Sequence, residues 1–360
     1  MKKLNFNIPG FELKIKLNSL ETCSTERKEG FVNKINALIG EIVQDQFKLV
    51  ANIKDENGFK ISITGIPDPD IKTYRINLDI GLFRMLYDGL YVVLSNNNIF
   101  HGLGKSFRRF DIPTLSVPNW ELLDLAMANN DDVYFDTNRM YLHSFLYELC
   151  LSFIIRHEIR HIGNGHIDYL AGKLQPLFYE NSKNGLDALD SQTLEMDVDS
   201  CVFVGILNGL MKFPEQRNRM PEELQDERGI FMCTLFAIQF LFYCMPSKKV
   251  GSLSEIEACS HPNAYLRYFF SFTAGLSFLQ NEYPQHVDLF GTLHQDNFWT
   301  FIDNLPEQDP DRLEKIRYDH DWSMSEEGFE YANKVWNNWD NWIPKLQPYT
   351  YIKLAPKTTN

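Results

Sequence analysis

No run of about 20 consecutive apolar residues occurs in this chain of 360 residues, which removes the plainest form of a membrane-spanning helix. The nearest approach, Ile230 to Met245, is shorter and interrupted by Gln239, and it reads as a buried helix. Behind Met1-Lys2-Lys3 comes Leu4-Asn5-Phe6-Asn7-Ile8-Pro9, without the apolar core of a secretory leader, so the cytoplasm is the expected location. Cysteine is scarce. The six residues Cys23, Cys150, Cys201, Cys233, Cys244 and Cys259 form no C-x-x-C pair and mostly sit among apolar neighbours, as reduced thiols do; no disulfide is expected. Positive charge is in deficit as well: 35 Lys and Arg against 48 Asp and Glu leave −13, which argues against direct nucleic-acid binding as the main activity.

What is present describes an aromatic-rich globular chain, 44% hydrophobic, with 27 Phe and 16 Tyr. Phe11, Leu13, Ile15 and Leu17 alternate with polar residues as a half-buried strand does, and a helical pattern follows from Thr25. Phe59 to Ile63 and Tyr74 to Leu78 alternate across a Pro-Asp turn and read as a strand pair; Ile80 to Leu94 then reads as a helix. Asn96 to Pro118, with Lys105, Arg108 and Arg109, lacks sustained periodicity and reads as a long loop, and Trp120 to Ala128 as a short helix. From Asn138 a long helix carries Tyr141, Phe145, Leu149, Phe153 and Ile154 on a core face. The expected class is α+β, mainly α: an N-terminal region over 1–137 with a small β-sheet and helices, a helical core over 138–282, and an aromatic-rich segment over 283–360 packed on that core.

The long helix ends in Arg156-His157-Glu158-Ile159-Arg160-His161-Ile162-Gly163-Asn164-Gly165-His166. Two histidines four apart lie on one helical face and can offer ring nitrogens to one Zn²⁺, while Glu158 can act as a general base on water. Gly163 and Gly165 break the helix. On an uninterrupted helix His166 would lie roughly 140° round from His161, so a surface position is the plain expectation, although two glycines let the chain turn back toward the cleft.

A second helix opens with Glu195, Asp197 and Asp199. Either these acids only favour the helix dipole, or Glu195 is a third ligand and Asp199, one turn on, holds a ligand histidine from behind, with Asp197 pointing elsewhere. Further on, His261-Pro262 opens another helix from which Tyr265 and Arg267 project; alone, His261 reads as a capping or core histidine.

Three motifs in order, H-E-I-R-H-I-G-N-G-H, E-M-D-V-D and S-H-P-N-A-Y-L-R, resemble the gluzincin-type peptidases related to the prenyl-protein (CAAX) proteases. More closely, they resemble the Lit phage-exclusion peptidases, over about residues 150 to 275. The resemblance implies a zinc peptidase with His157, His161 and Glu195 as ligands, Glu158 as base, Asp199 in support, and His261 and Arg267 facing the cleft. The oxyanion formed in such a reaction needs donors, for which His261, Tyr265 and Arg267 are the candidates. The implied substrate is translation elongation factor Tu, cut once a phage capsid peptide is bound to it. Arg160 between the histidines, Asp197-Val198, and the C-terminal extension depart from the family pattern. Two other readings stand beside this one: a metallopeptidase with an unrelated protein substrate, and a helical binding protein whose zinc is closed by a fourth ligand, His261 or His166. In the peptidase reading, the aromatic C-terminal segment and the basic residues near Lys105 are expected to recognise a folded acidic partner.

Overall fold

A computed structural model describes residues 7–8, 11–13, 47–54, 61–66, 72–104, 106–108, 133–173, 186–245, 252–304 and 310–357. The fold is α+β and mainly α, as expected from the sequence. Its strands are β1 (Asn7–Ile8), β2 (Phe11–Leu13), β3 (Lys48–Lys54), β4 (Ile61–Ile66), β5 (Thr73–Asp79), β6 (Ser106–Arg108) and β7 (Val133–Phe135). The longer helices are α1 (Ile80–Leu94), α2 (Thr137–Gly163), α3 (His166–Lys173), α4 (Ala188–Lys212), α5 (Glu227–Cys244), α6 (Ala264–Glu282), α7 (Val287–Asn304), α8 (Pro310–Ser323) and α9 (Glu326–Leu346). The helices expected from residue 25 and over 120–128, the turn at 67–70, Cys23, Lys105 and Arg109 lie outside the described residues.

In β5 the buried Tyr74, Ile76 and Leu78 alternate with exposed Arg75 and half-buried Asn77, the period of a strand with one covered face. β4 pairs with it antiparallel and sets Ile63 opposite Ile76, which is the strand pair read from the sequence. β3, unanticipated, runs parallel to β5 on its other side, and the sheet order is β1-β2-β3-β5-β4. Its consecutive Leu49 and Val50 are both buried, so strict alternation was not there to be read. The stretch expected as an unstructured loop also holds a strand, since β6 pairs antiparallel with β7.

The chain forms two compact units, each assembled from separated stretches. One comprises Met1–Arg84, Ile154–Val198 and Val335–Asn360; the other comprises Met85–Phe153 and Asp199–Lys334.

In the first unit the C-terminal residues serve the interior. Trp342 is fully buried and its indole N–H donates to Asp190 Oδ1 at 2.8 Å, the oxygen that also accepts from Asn338 at 2.9 Å. Asp168 accepts from Tyr74 (2.7 Å), Tyr351 (3.0 Å) and Lys72 (2.5 Å), which ties the chain end to the sheet and α3. Across the aromatic-rich segment, Trp322, Trp339 and Trp342 are buried, and Trp299 is the exposed tryptophan among its described residues.

In the second unit α5 is the one described helix long and apolar enough to cross a membrane, and 78% of that stretch is buried in the protein. Along α2, Phe145, Leu149 and Phe153 are buried, whereas Tyr141, expected beside them, is solvent-exposed one turn from the helix start. Arg139 is wholly buried, and all five of its N–H groups point at carbonyl oxygens, those of Leu94, Asn96, Ile99, Phe100 and Leu103. It thereby satisfies the C-terminal end of α1 and the turn after it. Burial pulls its pKa down to about 10, against the pull of Asp136, so it stays charged at neutral pH. α6 starts two residues later than the proline suggested, because Asn263 caps it by accepting from Leu266 N at 2.7 Å and leaves Pro262 outside.

His294 stacks on Phe272 with ring centroids 3.7 Å apart and lies 3.0 Å from the Tyr268 hydroxyl. Burial, and after it the charge of His320, push its pKa down to about 4. The unfolded chain, with a histidine near 6.5, takes up this proton first. Stability is therefore full above about pH 6.5 and falls as the pH drops toward 4, by about 2 kcal/mol at pH 5 from this residue. Denaturant unfolding at pH 7 and pH 5 should show a smaller acid loss in His294→Gln than in the wild type; equal losses would remove His294 from the account.

Candidate metal centre

The last turns of α2 keep burying Ile155, Ile159 and Ile162, and this fixes the opposite face, where His157 and His161 stand one turn apart. α4 supplies the third group. His157 Nε2 lies 3.1 Å from His161 Nε2, and the Glu195 carboxylate lies 3.3 Å from the first and 3.5 Å from the second. His157 is buried, and His161 and Glu195 are half-buried.

These residues can hold a metal ion. Atoms bound at roughly 2.0–2.1 Å to one tetrahedral ion stand about 3.3–3.4 Å from each other, and the three observed separations bracket that value. Three converging lone-pair donors of this kind meet a cation's needs better than they meet one another's. Glu158 follows the first histidine in the chain and is buried.

His166, for which the sequence left both a surface position and a return to support the ligand histidines open, is 1% exposed, with Nδ1 3.0 Å from His161 Nδ1 and Nε2 3.4 Å from Asp197 Oδ2. The turn that achieves this needs Gly165, whose φ is +78°, and a Cβ there would lie 2.7 Å from the backbone of Tyr349. Tyr351 N and the Thr350 hydroxyl both donate to the Gly163 carbonyl, at 2.9 and 3.0 Å, and hold the end of α2. Asp197, read from the sequence as pointing elsewhere, is 3% exposed and accepts from the Asn164 side chain.

Burial lowers the His166 pKa more than the neighbouring Asp197 raises it, so the ring is neutral and carries one N–H. If His161 keeps Nε2 for the metal, its Nδ1–H donates to His166 Nδ1, which leaves the His166 proton on Nε2, toward Asp197. An imidazole fixed in this way behind a ligand orients the ligand and raises its basicity. Asn164 and Asp197 were missed by sequence reasoning; the signals were an Asn between two helix-breaking glycines and a carboxylate two residues past Glu195. His166→Ala is expected to weaken metal binding roughly 10- to 100-fold in a competitive chelator titration. Unchanged affinity would reduce His166 to a packing role.

The remaining residues singled out from the sequence belong to the second unit. Asp199 receives both Arg267 Nε (2.7 Å) and Nη2 (2.8 Å), and the guanidinium also lies 4.8 Å over the Phe242 ring. Tyr265 is buried edge-on to Phe298 and His320, and burial raises its phenol pKa. His261 is exposed and 2.9 Å from the Ser260 hydroxyl. No protein-family model, curated protein or solved structure matches the chain.

Proposed function

We propose that the chain is a zinc-dependent endopeptidase. The observation that carries this is the convergence of two imidazole Nε2 atoms and one carboxylate at 3.1–3.5 Å, next in sequence to the buried Glu158. Among the described residues the cluster has three members, which suits a catalytic zinc with an open position better than a structural site closed by four protein ligands. His166, the nearest candidate for a fourth, meets His161 through the nitrogen that faces away from the cluster.

When bound, zinc supplies Lewis acidity that polarises a peptide carbonyl and makes water acidic near neutral pH. His157, His161 and Glu195 would hold it, and His166 with Asp197 would keep the His161 ring in place. Glu158 takes the proton from the attacking water on its carboxylate and passes it to the leaving amine nitrogen.

The three-motif resemblance to the Lit phage-exclusion peptidases directs the substrate proposal to elongation factor Tu, cut in the cytoplasm when a phage capsid-derived peptide is bound to it. A cytoplasmic peptidase with an open site must be restrained, so little activity on casein or short peptides is expected. Incubating zinc-loaded protein with cell lysate, with and without such a peptide, should give one discrete product from the elongation factor. A discrete product from another protein would keep the peptidase and replace its substrate; efficient trigger-free degradation of casein would make it a general peptidase.

A further inference from the structure

In the first unit a cavity of about 100 Å³ lies beside the end of α2, lined by Phe47, Arg156, Ile159, Arg160, Tyr351 and Ile352. At about 30 Å³ per water, it has room for one amino-acid side chain and is far below the roughly 300 Å³ where small-molecule sites begin. Carbon forms most of its wall. Phe47 sits edge-on to both Tyr74 and Tyr351, and Tyr351 is fixed by its hydroxyl on Asp168 and its amide on Gly163, so the wall is held open before any ligand arrives.

The cationic groups are out of keeping with this wall. Arg156 and Arg160 are four apart on α2 and reach the same space. Arg160 is half-buried, and its Nε is fully buried without a hydrogen-bond partner among the described residues. A guanidinium cannot shed its charge, and a buried donor left unpaired loses its hydration for no return. The described residues supply no acceptor for this group. The acceptor that matches a planar fork is a carboxylate, and the carbon walls ask for a short aliphatic stem behind it. Each arginine directly precedes a metal-binding histidine in sequence, so a peptide chain reaching the cluster passes within a few residues of the cavity.

We propose that this cavity is a subsite in which Arg160 receives a carboxylate on a short aliphatic stem from the protein substrate, a glutamate side chain or a chain terminus. Its place in substrate recognition rests on the peptidase reading; the binding itself does not. The test is calorimetric titration of the full chain, zinc-loaded and zinc-stripped, with acetyl-Gly-Glu-Gly-amide, acetyl-Gly-Gln-Gly-amide, and acetyl-Gly-Gly-Ala as free acid and amide. A carboxylate probe should bind at least about tenfold more tightly than its amide partner, with or without zinc, and the pair that shows the preference identifies the source. Arg160→Gln should abolish the preference while zinc content is unchanged and melting temperature is equal or higher. Arg160→Lys, which keeps the charge and drops the fork, should bind several-fold more weakly than wild type. No preference in the wild type, full preference in either variant, or a preference that vanishes with the zinc would overturn the subsite. Absence of any hydrolysis would count against the peptidase alone.

Discussion

Glu158→Gln is expected to keep one zinc per chain and to lose peptide hydrolysis by about 10²–10⁴-fold, the usual worth of a positioned general base. The substitution leaves the three donors at 3.1–3.5 Å untouched and changes neither the size nor the helix preference of residue 158. What it removes is the group that accepts a proton. His161→Ala should behave differently, because His161 makes two of the three short contacts in the cluster and also carries the link to His166. It should lose the metal and, with it, all activity. Elemental analysis and cleavage assays on the two purified variants separate these outcomes. Full zinc in His161→Ala would end the metal assignment, and undiminished cleavage by Glu158→Gln would move the base elsewhere.

The part of this centre that the sequence displayed is the part set by local periodicity. Residues four apart on a helix must share a face, so His157 with His161 could be paired before any coordinates, and β4 with β5 could be paired by alternation around a turn. Which second helix meets the first is a tertiary fact; Glu195 was only one of two readings of an acidic helix start. The positions of His166 and Asp197 were hidden for a sharper reason. That of His166 depends on the left-handed backbone at Gly165, at the end of a helix held by residues 350 and 351, almost two hundred positions along the chain, and that of Asp197 on how a second helix meets this turn. β3 was illegible because a strand in the middle of a sheet need not alternate, and the buried tryptophans were illegible because an aromatic stripe reads the same at an interface as in a core. Arg160, noted in the sequence only as a departure from a family pattern, gained meaning from the cavity its side chain lines.

Asp199→Ala is expected to destabilise the second unit by about 3–5 kcal/mol, the cost of breaking a buried ion pair on one side. Asp199 is 0% exposed and accepts two guanidinium N–H groups in fork geometry, so its removal leaves Arg267 charged, buried and short of partners. The sequence suggested a different role for this carboxylate, support of a ligand histidine, and one set of variants distinguishes the two. In the ion-pair role Asp199→Ala and Arg267→Met each lose stability, and the double variant loses much less than their sum, since an apolar replacement of the whole pair restores packing without an orphaned charge. Zinc affinity should then be nearly unchanged in all three. In the supporting role, Asp199→Ala alone should weaken zinc roughly 10- to 100-fold, and Arg267→Met should not. Denaturant unfolding of the four proteins gives the coupling energy, and chelator titration of the same samples gives the affinity. Additive stability losses would remove the pair as a unit of the fold, because the energy of each residue would then lie in other contacts.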